Sequence, residues 1–384
     1  MYFNDVASLT NDLKRFRQQA QFSQQTLAGL AGISRQAYAA LEASTATPST
    51  VVAFRLARAL GTRVDGLFSL ADDAPPSVQA ELVGAVDSSE YIGRSAPHRR
   101  VRLVQVGHRM LAQPLLGTLA VRQTLVEADG LIQSGPGVGN LVDVQPFDAG
   151  DAQTPTLVML GCDPAVAIVE NELARLGIRL VWAEQGSYQA LAGLARGEAH
   201  VAGCHLKDDA SGIYNLSWVR RLIPFPCTLV TFADWQQGLV VAPGNPKDIR
   251  GVENLATPEV TIVNRPAGSG SRSLLDRLLQ QNGIPTAEVA GYGHEVGGHL
   301  AVASAVASGL ADAGVAVQSV AAALGLGFVP LEEERYDLVI PNHFLNQPEV
   351  QVLLDLLDRP ALHRRVESLG GYDVSSMGNP VSQG

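Results

Sequence analysis

Near the start of the chain, apolar residues recur at helical spacing and are interrupted once. One run follows Ser23 and stops at Gly32, and a second run follows Ser34 and reaches Glu42. Serine is favoured at helix N-termini and glycine at helix ends, so the pattern predicts two short helices joined by a tight turn. Such a unit within about twenty residues is typical of a DNA-reading helix-turn-helix. An ordinary helical hairpin is the alternative.

The second of these helices carries Arg35 and Gln36 in its first turn. In a helix-turn-helix, this turn meets base edges in the major groove. Arginine and glutamine present the paired hydrogen-bonding groups that guanine and adenine match there. These two side chains are therefore the predicted base readers.

The flanking sequence favours the DNA-reading interpretation, because residues 13–68 resemble the lambda-repressor-like (Xre-type) DNA-binding domain. The matching residues are Arg17, Ser23-Gln24, Leu27-Ala28, Gly32, Ser34-Arg35, Leu41-Glu42, Pro48-Ser49, Leu56-Ala57, Ala59-Leu60-Gly61, Asp65 and Leu67-Phe68. One departure is Ala43-Ser44, where the family often has Glu-x-Gly.

The resemblance implies an all-α head of five helices over residues 1–70, with the fifth helix closing at Leu67-Phe68. It also implies that the head contacts double-stranded operator DNA. The residues expected at this contact are Arg17, Ser23, Gln24, Gln25, Ser34, Arg35, Gln36 and Tyr38.

Charge supports this interpretation locally and opposes it globally. The whole chain has 28 Lys+Arg against 38 Asp+Glu, a formal net charge of -10. Residues 1–70 hold seven basic and four acidic side chains, a net charge of +3, which leaves -13 for the remainder. A weakly positive head binds phosphates poorly alone, so we expect a homodimer on a roughly palindromic operator.

The pattern changes after the head. Residues 71–95 mix acidic residues, paired prolines and serines, which predicts a linker. Residues 96–155 alternate apolar and polar positions between Gly and Pro, which predicts a small β-rich connecting module. Its start is basic, and a solvated strand face is favoured there over a DNA-flank or dimer contact. The basic residues are Arg94, Arg99, Arg100, Arg102 and Arg109.

From residue 156 onward, short apolar runs alternate with helical patterns. LVML precedes PAVAIVENELARLG, and IRLVWAE precedes SYQALAGLARG. HVAGCHL, TLVTF, GLVVAP and RYDLVIPN are further predicted strands. This alternation predicts a parallel α/β sheet.

Residues 156–377 resemble the periplasmic-binding-protein-like domain found in cytoplasmic regulators and beside molybdopterin-biosynthesis domains. The motifs that carry the resemblance are GCDPAVAIVE, GSYQALAGLARGEAHVAGCHL, NRPAGSGSRSLLDRLL, GYGHEVGGHLAVASAVASGLADAG and FVPLEEERYDLVIP. The resemblance implies an α/β, two-lobed, type II sensor over residues 156–384, with a ligand cleft between the lobes. Lobe 1 is expected at about 156–230 and 338–384 and lobe 2 at about 237–332, with crossing strands near 228–242 and 330–341.

In such a cleft, helix N-termini favour an anion, because their free N–H groups and positive dipole ends point at the ligand. The GSGSR run at 268–272 adds two glycines, two hydroxyls and a guanidinium, although a plain turn that caps a helix uses the same residues. The expected ligand contacts are Cys162, Asp163, Ser187, Tyr188, His205, Ser269, Gly270, Ser271, Arg272, Glu295 and His299.

The predicted effector is a small anion, with an oxyanion such as molybdate or tungstate as the first choice. The carboxylates of Asp163 and Glu295 oppose a simple anion pocket and favour a zwitterionic or hydroxyl-bearing organic metabolite. That objection disappears if Asp163 only caps a helix and Glu295 pairs with Arg272.

Soft metal ligands also occur in this part of the chain. Cys162, Cys204, His205 and either His294 or His299 form one such set, but their spacing gives no support for a metal site. Buried thiols and a hydrogen-bonded histidine are the favoured interpretation, so no metal and no cofactor are expected.

The remaining sequence features bound the class of protein. The three cysteines are scattered and lack CxxC spacing, which suits a reducing cytosol. No signal peptide and no membrane span are expected, so the predicted location is the cytoplasm. No nucleophile motif surrounds Ser271, so catalysis is not expected. The alternatives are a molybdenum-cofactor-related enzyme or carrier and a structural or antitoxin-like DNA-binding protein.

Overall fold

The structure is a computed structural model that describes most of the chain. The described residues are 9–70, 75–84, 99–116, 120, 125–134, 140–148, 154–208 and 211–381. Two compact units are present: Met1–Pro76 with Pro146–Ala149, and Ser77–Gln145 with Gly150–Gly384. Arg94 and most of the predicted linker lie outside the described residues. No helix in the described part of the chain is long and apolar enough to cross a bilayer.

The head is helical, as predicted. The hydroxyls of Ser23 and Ser34 each accept a hydrogen bond from the N–H three residues later, at 3.0 and 3.1 Å, so both predicted helix starts are capped. Gly32 adopts the left-handed conformation (φ 71°) that ends the first helix of the motif. The described helices of the head are α1 (Leu13–Gln19), α2 (Gln24–Ala31), α3 (Arg35–Glu42) and α4 (Thr50–Ala59).

The prediction of a fifth helix that closes the head is wrong. After Gly61, which has a φ of 65°, the chain makes only tight turns, in which the Leu67 and Phe68 N–H groups both donate to the Val64 carbonyl. Phe68 then begins a short strand, and Leu67 fills the core from the turn, only 1% exposed. This strand, β2 (Phe68–Leu70), pairs antiparallel with β1 (Leu9–Asn11).

The β-rich module is a closed barrel. Its strand order is β3, β5, β4, β6, β7, and β7 returns to pair with β3. One of these strands, residues 78–82, lies inside the stretch predicted as a linker, so the linker prediction is wrong for these residues. They form a strand because alternating side chains, Ala80 and Leu82, are buried in the barrel core. The strands are β3 (Val78–Leu82), β4 (Arg100–Val106), β5 (Arg109–Pro114), β6 (Gly130–Ser134) and β7 (Leu141–Pro146).

The barrel is fastened to the sensor that follows it. Arg109 forms an ion pair with Glu81 at 2.7 Å and donates to the carbonyls of Arg196 and Gly197 at 2.6 and 3.0 Å. Asp129 of the barrel pairs with Arg179 of the sensor at 2.7 Å. Part of the basic strand face is therefore consumed by contacts within this unit.

Among the described residues, seven strands of the sensor form one sheet in the order β12, β11, β13, β10, β8, β9, with β14 beside β11. The β8, β9 and β10 strands run parallel, whereas the β10–β13, β13–β11 and β11–β12 pairs are antiparallel. The strands are β8 (Thr156–Gly161), β9 (Arg179–Glu184), β10 (Val201–Cys204), β11 (Cys227–Val241), β12 (Ala313–Val317), β13 (Gly327–Pro341) and β14 (Tyr372–Asp373).

Two of these strands are 15 residues long and run through both lobes side by side. The runs TLVTF and GLVVAP, predicted as separate strands, are one continuous strand, β11. Because β11 and β13 are paired over almost their whole length, they are the connection that crosses from one lobe to the other.

Helices cover both lobes. The second lobe has its own apolar core, in which Leu274 and Leu279 pack with Leu239 of β11. The helices are α5 (Val166–Arg175), α6 (Ser187–Ala195), α7 (Leu216–Leu222), α8 (Gly270–Gln281), α9 (Gly298–Ala307), α10 (Gln318–Ala323), α11 (Pro348–Leu357) and α12 (Pro360–Glu367).

Candidate functional site

The predicted DNA-contact residues fall into two groups in the structure. Ser34, Arg35 and Gln36 are exposed at the start of α3, and Ser23 and Gln25 are exposed at the start of α2. A surface of this composition presents hydrogen-bonding groups at the start of α3, where a recognition helix meets bases. Their role in reading DNA stays a prediction.

Arg17 and Tyr38 require correction. The Arg17 guanidinium forms two hydrogen bonds to the Glu42 carboxylate, at 2.8 and 2.9 Å, and a third to the Phe22 carbonyl at 3.0 Å. Tyr38 is fully buried in the head core. Gln24 is half-buried and donates to Glu42 at 3.4 Å. Arg17 and Tyr38 therefore hold the helices together and are not placed to reach bases.

In the sensor, His205 is the centre of a buried polar cluster. Its Nδ1 lies 2.7 Å from a Glu334 carboxylate oxygen, and its Nε2 lies 3.4 Å from the Cys162 Sγ. Burial lowers the pKa of His205, but the negative charges of Cys162 and Glu334 outweigh burial and raise it to about 10. The His205 backbone N–H donates to the Ser187 hydroxyl at 3.2 Å.

The same cluster crosses the long strands into the second lobe. Gln237 of β11 donates to Glu334 of β13 at 2.9 Å and accepts from the Ser271 hydroxyl at 3.0 Å. A Cβ on Gly270 would lie 2.2 Å from the His205 ring. Only glycine at position 270 therefore lets the start of α8 approach the ring this closely. A continuous hydrogen-bond chain therefore runs from lobe 1 through both crossing strands to lobe 2.

Asp163 is buried beside this chain. One carboxylate oxygen accepts from the Ala165 N–H at 2.8 Å and from the Tyr372 hydroxyl at 2.7 Å, whereas the other has no hydrogen-bond partner among the described residues. Burial raises the pKa of Asp163 to about 6 against these hydrogen bonds and the charge of His205. The carboxylate is thus a helix-start group, one of the two roles weighed for it from the sequence.

Arg265 and His299 are the least satisfied side chains of the cleft. Arg265 is 3% exposed, and its Nε and Nη1 have no acceptor in the part of the chain that the structure describes. His299 is fully buried, and both of its ring nitrogens lack partners there. Burial lowers the pKa of both groups, and the charge of Arg265 contributes to the shift of His299, so the two side chains are neighbours.

The remaining predicted ligand residues lie at the edge of this cluster. Arg272 points away from it: its guanidinium pairs with Asp276 at 3.0 Å and with Glu295 at 3.2 Å and stacks on Tyr292. The Ser269 hydroxyl donates to the Pro266 carbonyl and caps α8, and Tyr188 is 43% exposed. Arg265, rather than Arg272, is the guanidinium with unpaired donors.

The two lobes touch across the cleft. The Tyr188 N–H approaches the Gly268 carbonyl at 3.4 Å. A Cβ on Gly298, at the start of α9, would collide with the Glu184 carboxylate at the end of β9. Because Glu184 and Gly298 belong to different lobes, a carboxylate of lobe 1 occupies one of the helix starts that the sequence predicted to attract an anion.

A cavity of about 730 Å³ adjoins this closed cleft. Arg265 and Glu184 form part of its wall on the sensor side, and Val104, Gln113 and Leu116 form part of its wall on the barrel side. A volume of this size is in the range of pockets that hold small organic molecules. The barrel is thus part of the wall of a ligand-sized space as well as a connector.

Comparison with known protein families agrees with this architecture. Residues 13–67 match the Helix-turn-helix family model, and residues 170–358 match the PBP superfamily domain model. Protein YvgK of Bacillus subtilis (strain 168) is 32% identical over 232 residues, which are 59% of this chain and 74% of YvgK. The chain belongs to the same family as YvgK.

Two further proteins match a shorter segment of the chain or match it at lower identity. A protein from the 5′ region of a 2Fe-2S ferredoxin gene of Clostridium pasteurianum is 38% identical over 111 residues, 29% of this chain and 98% of that protein. The periplasmic molybdate-binding protein of Azotobacter vinelandii is 17% identical, with a TM-score of 0.45, over 56% of this chain and 98% of its own.

An Xre-type helix-turn-helix head fused to a PBP-like domain is the domain composition of a ligand-responsive regulator. Within the PBP-like domain, sequence reasoning missed Arg265, Gln237 and Glu334. The only sequence signal for Glu334 was its position on the crossing strand expected near 330–341. Alternate residues of a strand share a face, so Glu334 lies on the same face as Glu332.

Proposed function

We propose that this chain is a sequence-specific transcription regulator whose DNA binding responds to a small anion in the cleft. Arg265 carries the proposal. A charged group removed from water costs several kcal/mol unless a counter-charge and hydrogen bonds compensate it. Two guanidinium nitrogens of Arg265 have no acceptor among the described residues, and an anion supplies both acceptors and charge.

The surroundings of Arg265 suit an anion held largely by the backbone. The starts of α6, α8 and α10 belong to loops of the cleft region, and Ser187, Ser271 and Ser319 in their first turns are buried, whereas the Glu184 carboxylate already occupies the start of α9. Such helix starts offer free N–H groups and a positive dipole end. A compact oxyanion such as molybdate or tungstate is our first candidate, held by these N–H groups, by hydroxyls and by Arg265.

A small organic anion is the second candidate. The 730 Å³ cavity favours it, because its wall contains Arg265 and also apolar side chains of the barrel. An anionic group at Arg265 with an organic body in the cavity would use both features. Such a ligand meets the objection that the acidic residues of the cleft raise against a simple inorganic anion.

On the DNA side, we propose a homodimer that acts in the cytoplasm on a palindromic operator. Arg35 and Gln36 read bases from the start of α3. Val51 and Phe54 are 59% and 64% exposed on one face of α4, and such apolar exposure suits contact with a second copy. Two heads bound to two half-sites overcome the weak charge of one head.

Ligand response requires that the anion bind one state of the lobes better than another. We propose that occupancy favours the closed lobes, in which Gly270 meets His205 and Glu184 meets Gly298. Closure then acts on the heads through the barrel and the linker. The barrel is expected to move with the sensor, because Arg109 and Asp129 of the barrel bind sensor residues Arg196 and Arg179.

A thermal-shift series tests the anion site. The probes are molybdate, tungstate, sulfate, phosphate, amino acids and a pterin, each added to the full chain. A stabilising probe should lose its effect in Arg265→Met and keep it in Arg250→Met, which changes an exposed arginine of the same lobe. An unchanged shift in Arg265→Met would overturn the proposed site.

A further inference from the structure

We propose that Cys162, His205 and His299 form a binding site for a thiophilic transition-metal ion of the Zn²⁺ class. The Cys162 Sγ and one ring nitrogen from each histidine all lie within 4.8 Å of one another, and the three residues are buried. They come from three separate places: Cys162 follows β8, His205 follows β10, and His299 lies in the first turn of α9. The fold, and not sequence spacing, brings these ligands together.

The geometry suits tetrahedral coordination. With Zn–S near 2.3 Å and Zn–N near 2.0–2.1 Å, neighbouring ligand atoms of a tetrahedral site are separated by about 3.3–3.6 Å. The distance between the Cys162 Sγ and the His205 Nε2 is 3.4 Å. The remaining separations are at most 4.8 Å, so the ligand atoms need to draw closer when an ion binds.

Glu334 orients His205 in the way metal sites require. Histidine ligands usually donate their second ring N–H to a carboxylate, which fixes the tautomer and makes the metal-facing nitrogen more basic. The His205 Nδ1 lies 2.7 Å from the Glu334 carboxylate, which leaves Nε2 directed at Cys162. Gln237 holds the same carboxylate oxygen at 2.9 Å.

His299 supplies the independent observation. It is fully buried, and neither ring nitrogen has a partner among the residues that the structure describes. Burial of an imidazole without hydrogen-bond partners costs free energy. The contact between Cys162 and His205 does not remove this cost for His299. A metal ion bound by His299 removes the penalty for one nitrogen.

The charge balance permits a dication. Arg265 opposes a cation nearby, but a Cys162 thiolate, the Asp163 carboxylate and the Glu334 carboxylate together balance the three positive charges of the dication and Arg265. Three protein ligands leave a fourth position for water or an anion, as in zinc sites that bind an exchangeable ligand. If the proposed function holds, the effector anion reaches both this position and Arg265.

Cobalt substitution tests the site on the full chain. Chelator-treated protein titrated with Co²⁺ should bind one ion per chain and develop the near-ultraviolet charge-transfer band of a thiolate ligand. Cys162→Ser should abolish the band, and His299→Gln should weaken binding by at least tenfold. Cys227→Ser and His294→Gln change a half-buried cysteine and an exposed histidine outside the cluster and should leave both readouts unchanged.

Absence of the thiolate band in the wild type, or its loss in Cys227→Ser rather than Cys162→Ser, would overturn the metal site. Circular dichroism of each variant identifies a folding failure. If Cys162→Ser does not fold, His299→Gln and competition between Zn²⁺ and Co²⁺ decide. An anion shift that persists in chelator-treated protein keeps the proposed function without the metal, and a band without any anion response keeps the metal alone.

Discussion

The head and the cleft each remove an arginine from water, and they treat it in opposite ways. In the head, the Arg17 side chain is 14% exposed, and all its nitrogens have acceptors on Glu42 and Phe22. In the cleft, Arg265 is 3% exposed and two of its nitrogens have none among the described residues. A fully hydrogen-bonded guanidinium stabilises a fold by itself. The charges of Cys162 and Glu184 oppose the burial of Arg265, but two of its nitrogens still lack acceptors among the described residues.

The comparison distinguishes an arginine with a structural role, Arg17, from one with a proposed ligand-binding role, Arg265. A side chain that the sequence presents as a DNA contact, Arg17, is spent on packing α1 against α3. A side chain that the sequence did not single out, Arg265, is the one that needs a partner.

Removal of the unpaired charge should stabilise the ligand-free protein. Arg265→Met replaces the guanidinium with an apolar side chain, so the free energy of unfolding should rise by about 1–4 kcal/mol in the absence of anions. Urea unfolding of chelator-treated, anion-free protein measures it. A loss of stability would mean that Arg265 already has its counter-charge within the chain.

The same substitution in the head should have the opposite sign. Arg17→Met leaves the Glu42 carboxylate without its bidentate partner, so the free energy of unfolding should fall by about 1.5–3 kcal/mol. Arg63→Met is the control, because the Arg63–Asp65 pair is exposed and contributes little. Equal effects of the two variants would remove the distinction between the buried and the exposed pair.

DNA readout should depend on the exposed residues of α3 and not on the buried ones. Arg35→Ala and Gln36→Ala should each reduce discrimination between operator and random DNA by about 1–3 kcal/mol, because each loses a base contact. Tyr38→Phe, which changes a buried side chain, should leave discrimination unchanged. Equal loss on random DNA would make Arg35 and Gln36 phosphate contacts.

Closure should be sensitive to one methyl group. In Gly270→Ala, the added Cβ meets the His205 ring, so the closed state should lose about 1–3 kcal/mol and anion affinity should fall by about 5- to 150-fold. Gly293→Ala places the same methyl where nothing lies within 4 Å. Isothermal titration with the strongest anion probe compares them, and equal affinities would contradict the closure mechanism.

Much of the fold could be predicted from local sequence. Helix spacing and the serine caps identify α2 and α3, and strand-then-helix alternation identifies the sensor. The position of Tyr38 three residues before Leu41 was also a signal of burial, since both lie on the inner stripe of α3. The prediction of a fifth helix was wrong because Phe68 is part of β2, which pairs with β1. Pairing between strands so far apart in sequence cannot be inferred from the local pattern.

The site was less accessible to sequence reasoning. Cys162, His205 and His299 were named, but their convergence depends on which strands are neighbours in the sheet. Arg265 stands in NRPAG and Glu334 in LEEERY, and both segments resemble solvated loops or edges. Burial of these charges arises only when the two lobes and the paired β11 and β13 strands come together.

We propose that anion binding at Arg265 and DNA binding at the head are thermodynamically linked. The direct measurement is the affinity of the full chain for an operator selected from random DNA, by fluorescence anisotropy, with and without a saturating anion probe. We expect the operator affinity to change by about 5- to 150-fold in the wild type and not at all in Arg265→Met. An affinity that is unchanged by the anion in the wild type, or changed equally in Arg265→Met, would contradict it.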